Sequence, residues 1–413
     1  MVGTKNKVLI DRIPGQLLRL AHSATFVVSS HRLPLIIFML FVIFETILGQ
    51  TFNTTWEWDA ATRSMQGYEI ATKGAGWYFF EGNGHYVWLP FWQLLIAFLY
   101  GFFHVNTILI GEVVSALCAG GTAVYLFVFL REFKLDEFHS ALGSMSLLTL
   151  GFYVAYASQA MTESFSVFLF FACLYHLHRY FDNGALKNLA AASLTTLVNV
   201  ATRYEAWLFV GLSAGFMLFF LPFSPKLRSR PVTVVHVILF LAPSVAFICL
   251  WLQYNVIMAA APFAFRDWIL VHNGHKDFIF YRDVGYTLIT AVGNLFLALG
   301  VIWTSTLEEL RQLRSQARGV RENVLLLFAL LFLAYIMYYC YSIFTGFNSV
   351  YRPRHFLYFA PLSIIAFMLR KLDKPTLYVL LAFQIVLGVV AFALNIQAHT
   401  LYIETGQWPG NTP

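Results

Sequence analysis

Charge is what this sequence has least of. Asp, Glu, Lys and Arg make up 12% of its 413 residues, about half of the roughly 25% found in soluble globular domains. So little charge leaves too few groups to solvate a water-facing surface on a chain of this length. A soluble protein of two or three domains is therefore excluded, and the bilayer is expected to be the solvent for most of the chain. Cysteine is also scarce. Cys118, Cys173, Cys249 and Cys340 each sit inside an apolar run, and no CxxC spacing occurs. That argues against a zinc ribbon, a redox motif or a disulfide framework and leaves buried structural thiols. A cleavable leader is not expected either, because the first apolar run begins only after about thirty residues and no small-residue cleavage site follows it. Tandem repeats and low-complexity tracts are likewise missing.

Apolar and aromatic residues are present in abundance, at 59% and 18% of the chain. A membrane span needs about 20 such residues. Runs of that kind lie near 33–49, 107–130, 140–157, 163–180, 186–202, 205–223, 232–257, 284–305, 324–344, 356–369 and 376–398. They predict an all-α polytopic membrane protein with about eleven transmembrane helices in a single domain covering 1–413. A further apolar stretch, 89–103, is short, aromatic-rich and led by Pro90. It is expected to be an interfacial or re-entrant helix.

Lys and Arg set the orientation. With the N-terminus cytoplasmic, most of the 27 basic residues fall in inner segments, notably Lys226, Arg228 and Arg230 and the group Arg311, Arg314, Arg318 and Arg321. Counting 89–103 as a full span would flip both clusters outward. The net charge of +6 is thus explained by topology anchors facing anionic inner lipids, and no nucleic-acid partner is expected. This orientation leaves outside a long first loop at about 50–88, a second at about 258–283, and a C-terminal tail at about 399–413 whose glycines and prolines predict irregular structure. The membrane would be the plasma membrane of a prokaryote or the endoplasmic reticulum of a eukaryote.

The candidate chemistry collects on that outer side. The first loop reads Thr55-Trp56-Glu57-Trp58-Asp59-Ala60, and its tryptophans mark the headgroup level. A carboxylate held there is suited to act as a general base on a hydroxyl. The plainer alternative is a solvated loop acid, or an N-cap for a helix starting near Ala60. Thr162-Glu163 opens the fourth span, and Thr202-Arg203-Tyr204-Glu205-Ala206-Trp207 forms the hinge between the fifth and sixth. The basic inner loops fixed the orientation, yet Glu163 and Glu205 land on the same side as Asp59. Taken singly, each suits a cap or an ion pair; their convergence favours a site. Arg352 and Arg354 flank Pro353 ahead of the tenth span. Their guanidinium forks match phosphate oxygens, with headgroup snorkelling as the alternative. His85 and Tyr86, beside Gly82 and Gly84 in the first loop, read equally as site or interface residues. His272, His275 and Asp277 in the second loop have no second metal signature, so no metal is expected. Asn53-Thr54-Thr55 matches a glycosylation sequon close to a span end.

Together these elements resemble the C-type (GT-C) membrane glycosyltransferases, which include protein O-mannosyltransferases and the aminoarabinose transferase of lipid A. Glu57-Trp58-Asp59 is similar to the family's modified Asp-x-Asp motif, as a Glu-x-Asp variant. No Trp-Trp-Asp-Tyr-Gly stretch occurs, which sets the chain apart from oligosaccharyltransferase catalytic subunits. The resemblance implies a polyprenyl- or dolichyl-phosphate sugar donor, a glycan, lipid or protein acceptor, and inverting transfer on the extracytoplasmic face; it leaves metal dependence open, and the sequence gives no reason to add a metal or a cofactor. It implies Asp59 as base with Glu57 assisting, Arg352 and Arg354 on the donor phosphate, and Glu163, Arg203 and Glu205 on the sugar or behind it. The competing expectation is a secondary transporter, which would place its ionisable groups near the bilayer midplane at broken helices, often in inverted repeats. A non-catalytic scaffold would leave Asp59, Glu163 and Arg352 far apart.

Overall fold

The computed structural model describes residues 15–52, 58–81, 86–220, 234–273, 357–369 and 374–405. The expected spans at 284–305 and 324–344, the basic clusters at 226–230 and 311–321, and the second outer loop beyond 273 lie outside the described residues, as does the end of the tail. Every regular element among the described residues is helical.

Among the described residues, three helices are long and apolar enough to cross a membrane: Arg32–Thr51 within α1 (Gly15–Phe52), α5 (Thr107–Glu132) and α11 (Val234–Ala259). At about 1.5 Å per residue, the 26 residues of α5 or α11 exceed the roughly 30 Å hydrocarbon layer. Their exposure separates two roles. α5 buries 61% of its apolar window, against 22% for the window in α1 and for that in α11. α5 is thus the central post, and the other two present one face outward. On α1, Ile37, Phe41 and Glu45 recur every fourth residue on the buried stripe, while Ile36, Leu40 and Phe44 recur at the same spacing on the exposed face. That is the pattern of a helix packed on one side and wetted by lipid on the other.

The run expected as one span at 140–157 is instead two pieces. α6 (Glu137–Met145) continues through a 3-10 turn, Ser146–Thr149, and then breaks; α7 (Gly151–Ala157) leaves at 75°. Counted as one broken span, the pair would raise the candidate crossings among the described residues to four. The break has a packing cause. A Cβ at Gly151 would collide with the Gly388 carbonyl oxygen, and one at Gly388 would collide with the Thr149 oxygen. Two glycines thus let the last described helix, α14 (Lys374–Thr405), press its backbone against the bend. The Thr149 carbonyl, released from the helix ladder, accepts a hydrogen bond from Gln384 Nε2 at 3.4 Å, so the break leaves that group satisfied.

The remaining helices build and close the bundle. α8 (Thr162–Asn183) and α13 (Phe359–Met368) pack against α5, α9 (Leu186–Val200) against α8, and α10 (Glu205–Phe220) against α9 and α11. One end is capped by α2 (Trp58–Lys73), α3 (Ala75–Phe80) and α4 (Phe91–Phe103), with α12 (Ala264–Asn273) following α11 nearby. The 13 residues of α4 reach only about 20 Å, short of the hydrocarbon thickness. α2 crosses it at Gly67, where a Cβ would come within 2.7 Å of Ile96. Polar ties then fasten this cap to the bundle. The Phe91 amide donates to the Ala201 carbonyl at 3.0 Å. Tyr204 Oη donates to the Val87 carbonyl at 3.1 Å, and Tyr254 Oη to the Phe79 carbonyl at 2.6 Å. We refer to this as the capped end.

Candidate functional site

The residues singled out between the fourth and sixth expected spans meet at the capped end. Thr162 and Glu163 start α8, Glu205 starts α10, and Arg203 stands in the turn between α9 and α10. The turn holds its shape because the Arg203 amide donates back to Asn199 O at 2.9 Å and the Ala206 amide to Arg203 O at 3.2 Å. The Arg203 side chain then lies across both helix starts. Its Nη1 is 2.6 Å from Glu163 Oε1. Nη2 and Nε donate to the two oxygens of Glu205 at 2.7 and 3.2 Å, a bidentate fork. Nη1 also donates to Thr162 Oγ1 at 3.0 Å.

This group is dry for its charge. Arg203 is 8% exposed and Glu163 2%. Burial alone would lower the Arg203 pKa, but Glu163 and Glu205 outweigh it and hold the guanidinium well above its usual value. One arginine faces two carboxylates, so the three side chains carry a net negative charge. Each carboxylate also sits in the first turn of a helix, where the unpaired amides and the dipole favour it. The arrangement is therefore a fixed, polarised group in which two carboxylates hold Arg203 rigid.

Behind it lies a polar group that sequence reasoning missed. Tyr358 Oη is 2.5 Å from Ser166 Oγ. Ser166 also hydrogen-bonds Asn199 Oδ1, and Asn199 Nδ2 donates to the Ser166 carbonyl at 3.3 Å. The Tyr358 ring is wedged edge-on between Phe170 and Phe209. Tyr358 is near enough to Arg203 to interact with it electrostatically. A Ser, an Asn and a Tyr scattered over three apolar runs carry no charge and no spacing signal, so only the fold reveals them as one cluster.

In front, α2 begins at Trp58, so Asp59 lies inside its first turn and is not the N-cap of a helix starting near Ala60. Asp59 is half-buried, and its neighbour Ala60 belongs to the same buried cluster as Ala157, Ala160 and Met161, the segment leading into Thr162. That segment is tied to α5 by Ser115 Oγ, which donates to Met161 O at 2.9 Å. One turn along α2, the Arg63 guanidinium lies over the Trp88 ring at 5.1 Å. Arg63 also falls within electrostatic reach of Tyr204, beside Arg203. The Tyr204 hydroxyl accepts from Trp251 Nε1 at 3.0 Å, and burial pushes its pKa up. Tyr86 is half-buried next to Val87, whose carbonyl receives the Tyr204 hydroxyl.

Glu57, His85, Arg352 and Arg354 lie outside the described residues, as do His275 and Asp277. Among the described residues, no group of three or more His, Cys, Asp or Glu side chains is disposed to hold a metal ion. The structure thus gathers Glu163, Arg203 and Glu205 in direct contact and sets Asp59 and Tyr86 on the elements that cap them. Compared with family models and with curated proteins, the chain matches none. Two carboxylates inside expected spans were also passed over, Glu45 and Glu112. Their signal was in plain view, since an ionisable residue within a span is a site candidate by default.

Proposed function

We propose that this protein is a C-type membrane glycosyltransferase. In this reading it moves a sugar, a hexose such as mannose, from a polyprenyl- or dolichyl-phosphate donor to an acceptor hydroxyl, with inversion. The chain crosses the membrane about eleven times, its N-terminus is cytoplasmic, and the capped end faces the extracytoplasmic side. The observation that carries the reading is the buried Glu163–Arg203–Glu205 group at the start of two helices. Three charges kept this dry at one end of an apolar bundle are a costly feature for packing alone.

The chemistry follows from the chain's own residues. Asp59, in the first turn of α2, takes the proton of the acceptor hydroxyl. The acceptor oxygen attacks the anomeric carbon as the carbon–oxygen bond to the lipid phosphate breaks. Arg352 and Arg354 hold the departing phosphate, where fixed guanidinium groups act most strongly on developing charge. Tyr358 follows these two arginines by a few residues in the sequence and is itself held to α8 and α10 through Ser166 and Phe209. Glu57 assists Asp59, and Glu163, Arg203, Glu205, His85 and Tyr86 bind the substrates or hold the groups that do. A divalent metal and a cofactor have no part in this scheme.

The test uses purified protein in lipid with labelled dolichyl-phosphate mannose and candidate acceptors. Asp59→Asn is expected to reduce transfer by about 10²–10⁴-fold. Unaltered transfer by a folded variant would remove Asp59 from the base role. One observation favours a second reading, a secondary transporter: the 75° break between α6 and α7, since broken helices are typical of transporter sites. Solute uptake into proteoliposomes driven by an ion gradient, without sugar transfer, would decide for it.

A further inference from the structure

Glu45 lies on the buried stripe of α1, inside the apolar window Arg32–Thr51. Its side chain is 0% exposed, and neither carboxyl oxygen has a hydrogen-bond partner among the described residues. α1 packs chiefly against α5 and, more lightly, against α6. From α5, the ionisable groups on this side are Glu112, which accepts from Gln50 Nε2 at 2.9 Å, and the Cys118 thiol. From α7 comes Tyr153, 1% exposed, whose hydroxyl lies within hydrogen-bonding reach of Thr122. Tyr153 interacts electrostatically with both Glu45 and Cys118 and lies beside Thr122. Thr122 Oγ1 donates its proton to the Cys118 carbonyl at 2.9 Å, which leaves its lone pairs for another partner. Among the described residues, no Lys, Arg or His forms an ion pair with Glu45.

A buried carboxyl with no partner among the described residues and a buried tyrosine hydroxyl therefore share one neighbourhood at the α1–α5–α7 junction. Among the described residues a carboxylate there meets no counter-charge, which is the most unfavourable state for an ionised group in a bilayer. One unit of positive charge would balance it. Tyr153 stands just past the break that ends at Gly151, and membrane proteins build H⁺ and Na⁺ sites beside discontinuous helices.

We propose that Glu45, with Tyr153 and Thr122, forms a membrane-embedded site for one monovalent cation, H⁺ or Na⁺. As a proton site, the carboxyl carries the hydrogen and donates it to the Tyr153 or Thr122 oxygen. As a sodium site, the carboxylate and the two hydroxyl oxygens are the hard oxygen ligands of the ion. A divalent ion is disfavoured, because one carboxylate leaves it half-neutralised. The site stands whether or not the capped end transfers sugars.

The experiment uses the full chain in lipid nanodiscs, first in sodium-free choline buffer. Infrared difference spectra are recorded over a pH series and then over a NaCl titration, for the wild type and for Glu45→Gln. In the proton case the wild type shows a protonated-carboxyl band that Glu45→Gln loses, and NaCl does nothing that choline chloride does not. In the sodium case NaCl shifts a carboxylate band and raises Tm, and both responses vanish in Glu45→Gln. Tyr153→Phe keeps the carboxyl and removes one partner; it should shift the Glu45 band or weaken the sodium response, and it serves if Glu45→Gln does not fold. Wild-type spectra that show neither band response, or a Tyr153→Phe spectrum identical to the wild type in both series, overturn the proposal.

Discussion

The two ends of the α8 segment carry the same chemistry in opposite surroundings. At the capped end, Arg203 meets Glu163 and Glu205 with side chains 8%, 1% and 14% exposed. At the far end, Arg179 Nη1 meets Glu132 Oε1 at 2.7 Å with side chains 38% and 27% exposed. The far-end pair has neighbours of similar character: Asp136 caps α6 through the His139 amide at 2.9 Å, and Tyr180 Oη pairs with His236 Nδ1 at 2.6 Å. Distance is almost equal in the two arginine pairs, so distance is not what separates them. Dielectric surroundings are. The exposed pair can exchange its partner for water at little cost, whereas the buried group cannot lose a member without stranding the others.

Substitutions that break each end should therefore differ several-fold in effect. Arg203→Leu should have the largest, on the order of 3–5 kcal/mol of stability, because two carboxylates are left buried without their cation. Thermal unfolding in nanodiscs would read it as a large fall in Tm or a failure to accumulate. A loss no greater than that of an exposed pair would show that water reaches Glu163 and Glu205. Next is Tyr204→Phe, which loses the tie to Val87 O and strands the Trp251 indole N–H, at about 1–3 kcal/mol. Limited proteolysis of the 81–90 segment should speed up in that variant while the far end stays protected.

At the far end, Asp136→Ala should cost about 1 kcal/mol through the lost N-cap. The His139 amide, with further hydrogen bonds from His139 and Phe138, holds the Asp136 pKa below the ordinary carboxylate value. Its contribution to stability is therefore complete above the unfolded value of about 3.9 and fades as pH falls through the lower folded value. The difference in Tm between wild type and Asp136→Ala should shrink over that acid window; a constant difference would dissociate the cap from its charge. Arg179→Ala should do least, about 0–1 kcal/mol, and less still in high salt. A salt-independent loss of several kcal/mol there would erase the contrast between the ends.

Much of this frame was legible in the sequence. The apolar windows in α1, α5 and α11 stand within a few residues of the runs expected at 33–49, 107–130 and 232–257, because a bilayer demands a long uninterrupted stretch and leaves a strong signal. The meeting of Glu163, Arg203 and Glu205 was foreshadowed by the same logic, since charges at span ends need partners. The break at Leu150 was hidden. The run 140–157 holds no charged residue and no proline, and what bends it is a contact with Gly388, far along the chain. Tyr358, Ser166 and Asn199 were hidden for a related reason, being uncharged groups joined only by tertiary packing.

The Gly151–Gly388 contact also bears on how the protein is made. Lys374–Thr405 is the last of the described helices to leave the ribosome, yet it supplies both the backbone that fits the bend and the Gln384 amide that serves the exposed Thr149 carbonyl. Until it arrives, the 140–157 segment lacks the backbone it bends against, and the Thr149 carbonyl lacks its Gln384 donor. This last of the described helices is then a keystone, and a bulkier residue at 388 would keep it from seating against the bend.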